Sequence, residues 1–105
     1  MTYLFEILED VFYDVEDAII YYNLQLTGLG SQFYKEFQEA IKGISAHPLI
    51  YQKKRKDYRQ LKMRKFPFYI IYKVNKRVII INRVFHAKRD PSSAFKGWSR
   101  KKYIR

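Results

Sequence analysis

"FPFYIIYKVNKRVIIINRVFHAKRDP", residues 66–91, decides how this chain folds. Residues 68–74 are nearly all apolar, rich in aromatic and β-branched side chains, as in a strand covered on both faces. Residues 77–87 repeat that character. Asn75-Lys76 between the two runs predicts a two-residue hairpin link, although neither residue is glycine. Upstream, "YRQLKM", residues 58–63, alternates. Arg59, Leu61 and Met63 share one face, and Tyr58, Gln60 and Lys62 share the other. Three antiparallel strands in a meander follow from these patterns. "PLIYQKKRKD", residues 48–57, reads as a loop or a ragged edge.

The first half of the chain has a different period. Tyr3 to Leu8 reads as a first strand. Asp14 is expected to cap the following helix, with Glu16 and Asp17 in its first turn, where acids favour the helix dipole. Val15, Ala18, Ile19, Tyr22 and Leu26 form one apolar face at helical spacing. "TGLG", residues 27–30, breaks the pattern and suits a helix C-cap. Phe33, Phe37, Ala40, Ile41 and Ile44 mark a second helix that Pro48 stops. So short a connection predicts an antiparallel helix hairpin. The expected architecture is α+β: an N-terminal strand, the helix hairpin, then the meander, with both helices on one face of one sheet.

At 105 residues the chain is one domain, with a core over about 3–95 and a basic tail at 96–105. It is 48% hydrophobic, enough to fill one core, and has no cysteine, so disulfide and thiolate chemistry are excluded. No membrane span or signal peptide is visible, and a cytoplasmic location is expected. Charge is divided unevenly. Residues 1–50 carry two bases and eight acids; residues 51–105 carry nineteen bases and two acids. The second half therefore projects a positive potential that draws in polyanions or acidic proteins.

The chemistry available is guanidinium, ammonium, imidazole and aromatic rings. No phosphate-cradling glycine loop, no zinc-ligand spacing and no nucleophile–base arrangement is present, and no metal or cofactor is expected. The residues suit phosphate recognition, and also metal-free RNA cleavage, in which a ribose hydroxyl attacks its own phosphate. His86 has the one side chain of the basic half whose ordinary pKa lies near neutrality. It can equally be a strand-end histidine bonded to backbone or to Asp90. The candidate binding surface comprises Lys53, Lys54, Arg55, Lys56, Arg59, Lys62, Arg83, Lys88 and Arg89. The run Lys53–Lys56 supplies electrostatic footing or is only a solvated face. Trp98 and Tyr103 either anchor the tail or reach a partner.

The ordered set "DVEDAIIYYNLQLTGLGSQFYKEF", "HPLIY", "YRQL", "FPFYIIYKV" and "VFHAKRDP" resembles the RelE/ParE superfamily of bacterial toxins from type II toxin–antitoxin modules, which includes plasmid-stabilisation proteins. The resemblance covers roughly residues 3–95 and implies the same strand–helix–helix–sheet fold. It implies one of two targets. RelE-like members cut mRNA in the ribosomal A site; ParE-like members poison DNA gyrase and lack the ribonuclease groups. In the nuclease pattern a basic pair falls near Arg59 and Lys62, and a later arginine falls on Arg89. An arginine early in the second meander strand is replaced by Tyr69, and a C-terminal tyrosine by Phe95. The resemblance thus favours a gyrase-directed toxin neutralised by an acidic antitoxin that wraps the sheet and helix grooves. A ribosome-dependent nuclease using Arg59, His86 and Arg89 is the second reading, with those groups within about 10 Å on one face. A non-toxic nucleic-acid-binding module is the third.

Overall fold

The computed structural model describes residues 3–88. The readings made for Arg89, Phe95, Trp98, Tyr103 and the 96–105 tail lie outside them. The chain forms β1 (Leu4–Ile7), α1 (Glu9–Gln25), α2 (Leu29–Ala46), β2 (Lys53–Arg55), β3 (Tyr58–Lys62), β4 (Phe68–Asn75) and β5 (Val78–His86). One five-stranded sheet has the order β1-β5-β4-β3-β2.

The helices lie on one sheet face, as expected. Val11, Val15 and Ala18 of α1 and Phe33, Phe37 and Ile44 of α2 bury against Phe68, Ile70, Tyr72, Ile79, Ile81 and Val84. Phe68, Ile70 and Tyr72 are the alternate set of β4, so the period-two pattern sends every second residue of that strand into the core. The remaining set is apolar too: Ile71 and Phe85 bury on the opposite face, beside Tyr58 and Tyr69. β4 is therefore a strand covered on both faces.

Four details differ from the sequence reading. β1 joins the sheet parallel to β5, with Leu4 opposite Val78 and Ile7 opposite Ile81. The segment expected to be a loop contains the short strand β2, which pairs antiparallel with β3. The β4–β5 turn is Lys76-Arg77 rather than Asn75-Lys76, because Asn75 still pairs with Val78. Finally, α1 starts at Glu9, with Glu9 and Asp10 in its first turn. Asp14 is therefore not a cap but a buried mid-helix residue.

The helix hairpin is held by a side chain from α1. α1 ends at Leu26 in extended backbone, and Gly28 adopts φ 93° at the start of α2. Gly28 thus takes the left-handed geometry that glycine allows, at the start of α2 and not at the expected C-cap. Asn23 Oδ1 accepts the Gly28 and Gly30 N–H groups at 3.2 and 2.9 Å. It thereby satisfies donors that the first turn of α2 leaves open. At Gly30 a Cβ would lie 2.5 Å from the Ile19 carbonyl oxygen, so only glycine lets the helices approach this closely. Further on, the Glu36 carboxylate of α2 accepts the Arg64 and Lys65 N–H groups and ties the β3–β4 loop to the helix layer.

Candidate functional site

At one end of the sheet, β1 stops and β5 continues. Leu8 N–H donates to the Ile81 carbonyl at 3.1 Å, and beyond that point β1 offers no partner. Asp14 takes over. Its Oδ2 accepts the Val84 N–H at 2.9 Å and Arg83 Nε–H at 2.8 Å, while Oδ1 accepts from Arg83 Nη2 at 3.0 Å. A β-bulge between Ile71 and Tyr72 shifts the register at this place. Arg83, expected on a binding surface, is instead 8% exposed, because its fork is spent on a buried carboxylate.

Beside this pair is a cleft of about 310 Å³, lined by Asp17, Tyr21, Phe68 and His86 among others. The His86 ring stands edge-on to Phe68, with centroids 5.2 Å apart. Its Nδ1 accepts the Lys88 N–H at 3.0 Å, so the neutral ring, by that hydrogen-bond assignment, carries its proton on Nε2. The backbone partner is the strand-end arrangement that the sequence also allowed. Lys88 itself is exposed.

Arg59 is at the far side of the sheet. Its Nη1 donates to the Leu49 and Tyr51 carbonyls at 3.1 and 2.8 Å, stapling the α2–β2 connection to β3. The register pairs Arg59 with Tyr72 and His86 with Phe68. Two strand spacings across and four residues along put their Cα atoms roughly 16 Å apart. Tyr72 lies beneath that staple, its hydroxyl donating to the Pro48 carbonyl at 2.7 Å. Burial pushes its pKa up to about 12, opposed by the Arg59 charge. Lys62, three residues from Arg59 on β3, stands opposite Tyr69 on the other sheet face. Lys53, Lys54, Arg55 and Lys56 are exposed along the β2 edge and its turn. Lys53 lies 4.0 Å from Asp57. Among the described residues no group of three or more His, Cys, Asp or Glu is placed to hold a metal ion. None of the described helices is long and apolar enough to cross a membrane.

The sequence reading expected an antitoxin to wrap a helix groove but assigned no residues to that groove. Between α1 and α2 runs an apolar groove of about 490 Å³, whose walls include Val15, Ile19, Phe37 and Ile41. At its rim and beyond it α1 also exposes Phe12, Ile20 and Leu24, the last 79% accessible. The signal was present: these residues lie off the core stripe, so α1 is apolar on more than one side, as in a helix with a second partner.

Comparisons with known proteins agree with this architecture. A family model described as the ParE toxin of the type II toxin–antitoxin system parDE matches residues 10–91. No curated protein matches the chain by sequence. Among solved structures, the chromosomal ParDE system of P. aeruginosa is similar, with TM-score 0.65 and 13% identity, over 83% of this chain and 98% of that one. The isolated E. coli RelE toxin has TM-score 0.61 and 17% identity, over 97% and 99% of the two chains. The RelBE2 toxin–antitoxin complex of Mycobacterium tuberculosis has TM-score 0.57 and 14% identity, over 82% and 99%.

Proposed function

This chain belongs to the ParE toxin family of type II toxin–antitoxin systems, and from that membership we propose that it acts on DNA gyrase and is neutralised by a cognate acidic antitoxin. The observation that carries the choice of target is the dispersal of the groups a ribonuclease would use. Arg59 is spent on two loop carbonyls, and Lys62 faces the opposite side of the sheet. His86 stands at another end, and Tyr69 occupies the position where the nuclease pattern has an arginine. A single phosphate requires its cations and proton-transfer groups within hydrogen-bond reach of one another. Inhibition of gyrase by binding needs no such convergence.

The antitoxin reading rests on the apolar groove and on charge. An amphipathic helix lying between α1 and α2 would cover the groove and Phe12 on its wall, and Ile20 and Leu24 extend the exposed apolar surface of α1 beyond it. An acidic extension would neutralise the basic half of the chain. Structural relatives that are toxin–antitoxin complexes, such as RelBE2, support a partner of this kind.

A nuclease reading keeps one observation, the His86 ring at the wall of a cleft. Induced expression separates the two. Loss of plasmid supercoiling and a DNA-damage response are expected. Immediate translation arrest with codon-phased mRNA cuts would instead assign the ribosome, and normal growth would exclude both.

A further inference from the structure

Two turns that are distant in sequence meet at one end of the sheet. β2 and β3 are joined by Lys56-Asp57, and β4 and β5 by Lys76-Arg77. β3 and β4 are antiparallel neighbours, with Arg59 opposite Tyr72, so both turns project from the same edge. Two strand spacings separate their centres, roughly 10 Å. This end carries Lys54, Lys56, Lys76 and Arg77, all exposed. Asp57 is the one carboxylate in residues 53–58 and 73–78, and it faces Lys53.

The backbone at these turns points beyond solubility. Lys56 has φ 50° and Lys76 has φ 58°; they are the two non-glycine residues with positive φ among those described. Such positions favour glycine, asparagine or aspartate, and a lysine there costs about 1 kcal/mol. The same unfavourable choice at both tips places a cation at each apex of a paired structure. Local rules broken in this way are characteristic of functional positions.

We propose that the paired turns form a clamp for the phosphodiester backbone of duplex DNA, separate from the His86 cleft and from the helix groove. The turns offer ammonium and guanidinium groups but no aromatic ring for stacking an unpaired base. Tyr58, which follows Asp57, already lies under Lys73 Nζ at 5.2 Å. No large apolar side chain lies within either turn to anchor a protein partner. Contacts of this kind read no sequence and depend on salt. A span of roughly 10 Å covers about three base-pair steps of duplex at 3.4 Å each.

The test uses the purified chain, without gyrase or antitoxin, so its outcome is independent of the target proposed above. Binding to a fluorescent duplex of arbitrary sequence is measured across a salt series for wild type, Lys56→Asn/Lys76→Asn and Lys35→Gln/Lys42→Gln. Asparagine accepts positive φ, so the first variant is expected to melt no lower than wild type. It should bind roughly 60-fold more weakly at about 0.1 M salt, with the salt slope reduced by about 1.8, the effect of two lost phosphate contacts. The α2 pair removes the same charge elsewhere and should bind as wild type. Unchanged binding by the turn variant, or equal loss in both variants, overturns the clamp. A poly-glutamate of matched charge that binds as tightly as the duplex, with the same dependence on Lys56 and Lys76, assigns the turns to an acidic protein instead.

Discussion

Asp14 and Arg83, 69 positions apart, form a two-pronged buried ion pair that closes the β5 edge where β1 ends. The same carboxylate also holds the Val84 N–H, so one side chain joins α1, β5 and the site beside His86. Removing one member strands the other charge in the interior. Asp14→Ala is expected to destabilise the protein by about 3–5 kcal/mol, while Asp14→Leu/Arg83→Met loses far less, because no charge is left uncompensated. Urea unfolding of the three proteins checks this; a double variant as unstable as the single one would refute it.

Tyr72 gives the fold an alkaline limit. Its pKa is raised from 10 to about 12, so the folded state holds this proton more tightly than the unfolded one. The stabilisation is complete below pH 10 and is lost as pH rises through about 12. The melting temperature should fall over that window, and Tyr72→Phe should flatten the decline. Parallel curves for the two proteins would contradict the assignment.

Gly30 is the contact point of the helix hairpin. Gly30→Ala forces a methyl group against the Ile19 carbonyl and the Asn23 amide, so a loss of about 1–3 kcal/mol is expected. Asn23→Ala leaves the backbone in place but removes the cap of α2, costing about 1 kcal/mol. Thermal melts rank the two, with Gly30→Ala expected to be the more damaging.

Ile20→Asp and Leu24→Asp change exposed positions, so the fold is expected to stay within about 0.5 kcal/mol of wild type. Toxicity should persist while rescue by a co-expressed antitoxin fails. Full rescue of both variants would remove α1 from the antitoxin interface.

His86→Ala distinguishes the two target readings at the level of one side chain. A gyrase inhibitor keeps its growth inhibition when the variant is expressed at wild-type levels. A nuclease with His86 as its proton carrier loses on the order of 100-fold or more.

The elements that could be read from sequence are those whose evidence is local. The meander followed from alternation in residues 58–63 and from two apolar runs, and the helices from their stripes. The unread parts depend on distant partners. "DVEDA" looks like a helix start, and only Arg83 reveals that Asp14 is an interior residue. β2 is a run of three cations with no strand pattern of its own, ordered by its pairing to Arg59 and Tyr58. Arg59 looks like a surface cation until the carbonyls of Leu49 and Tyr51 are brought beneath it. The apolar outer side of α1 was visible in Phe12, Ile20 and Leu24, but a stripe-by-stripe reading assigns a helix only one face.

The parallel pairing of β1 with β5 also sets an order of events during synthesis. Leu4 cannot meet Val78 until the ribosome has made the intervening chain, which takes roughly 4–15 s at ordinary elongation rates. The α1–α2 hairpin, built from contacts close in sequence, can assemble well before then. The helices that wall the apolar groove are therefore fully synthesised before β5, the strand on which β1 closes the sheet, has been made.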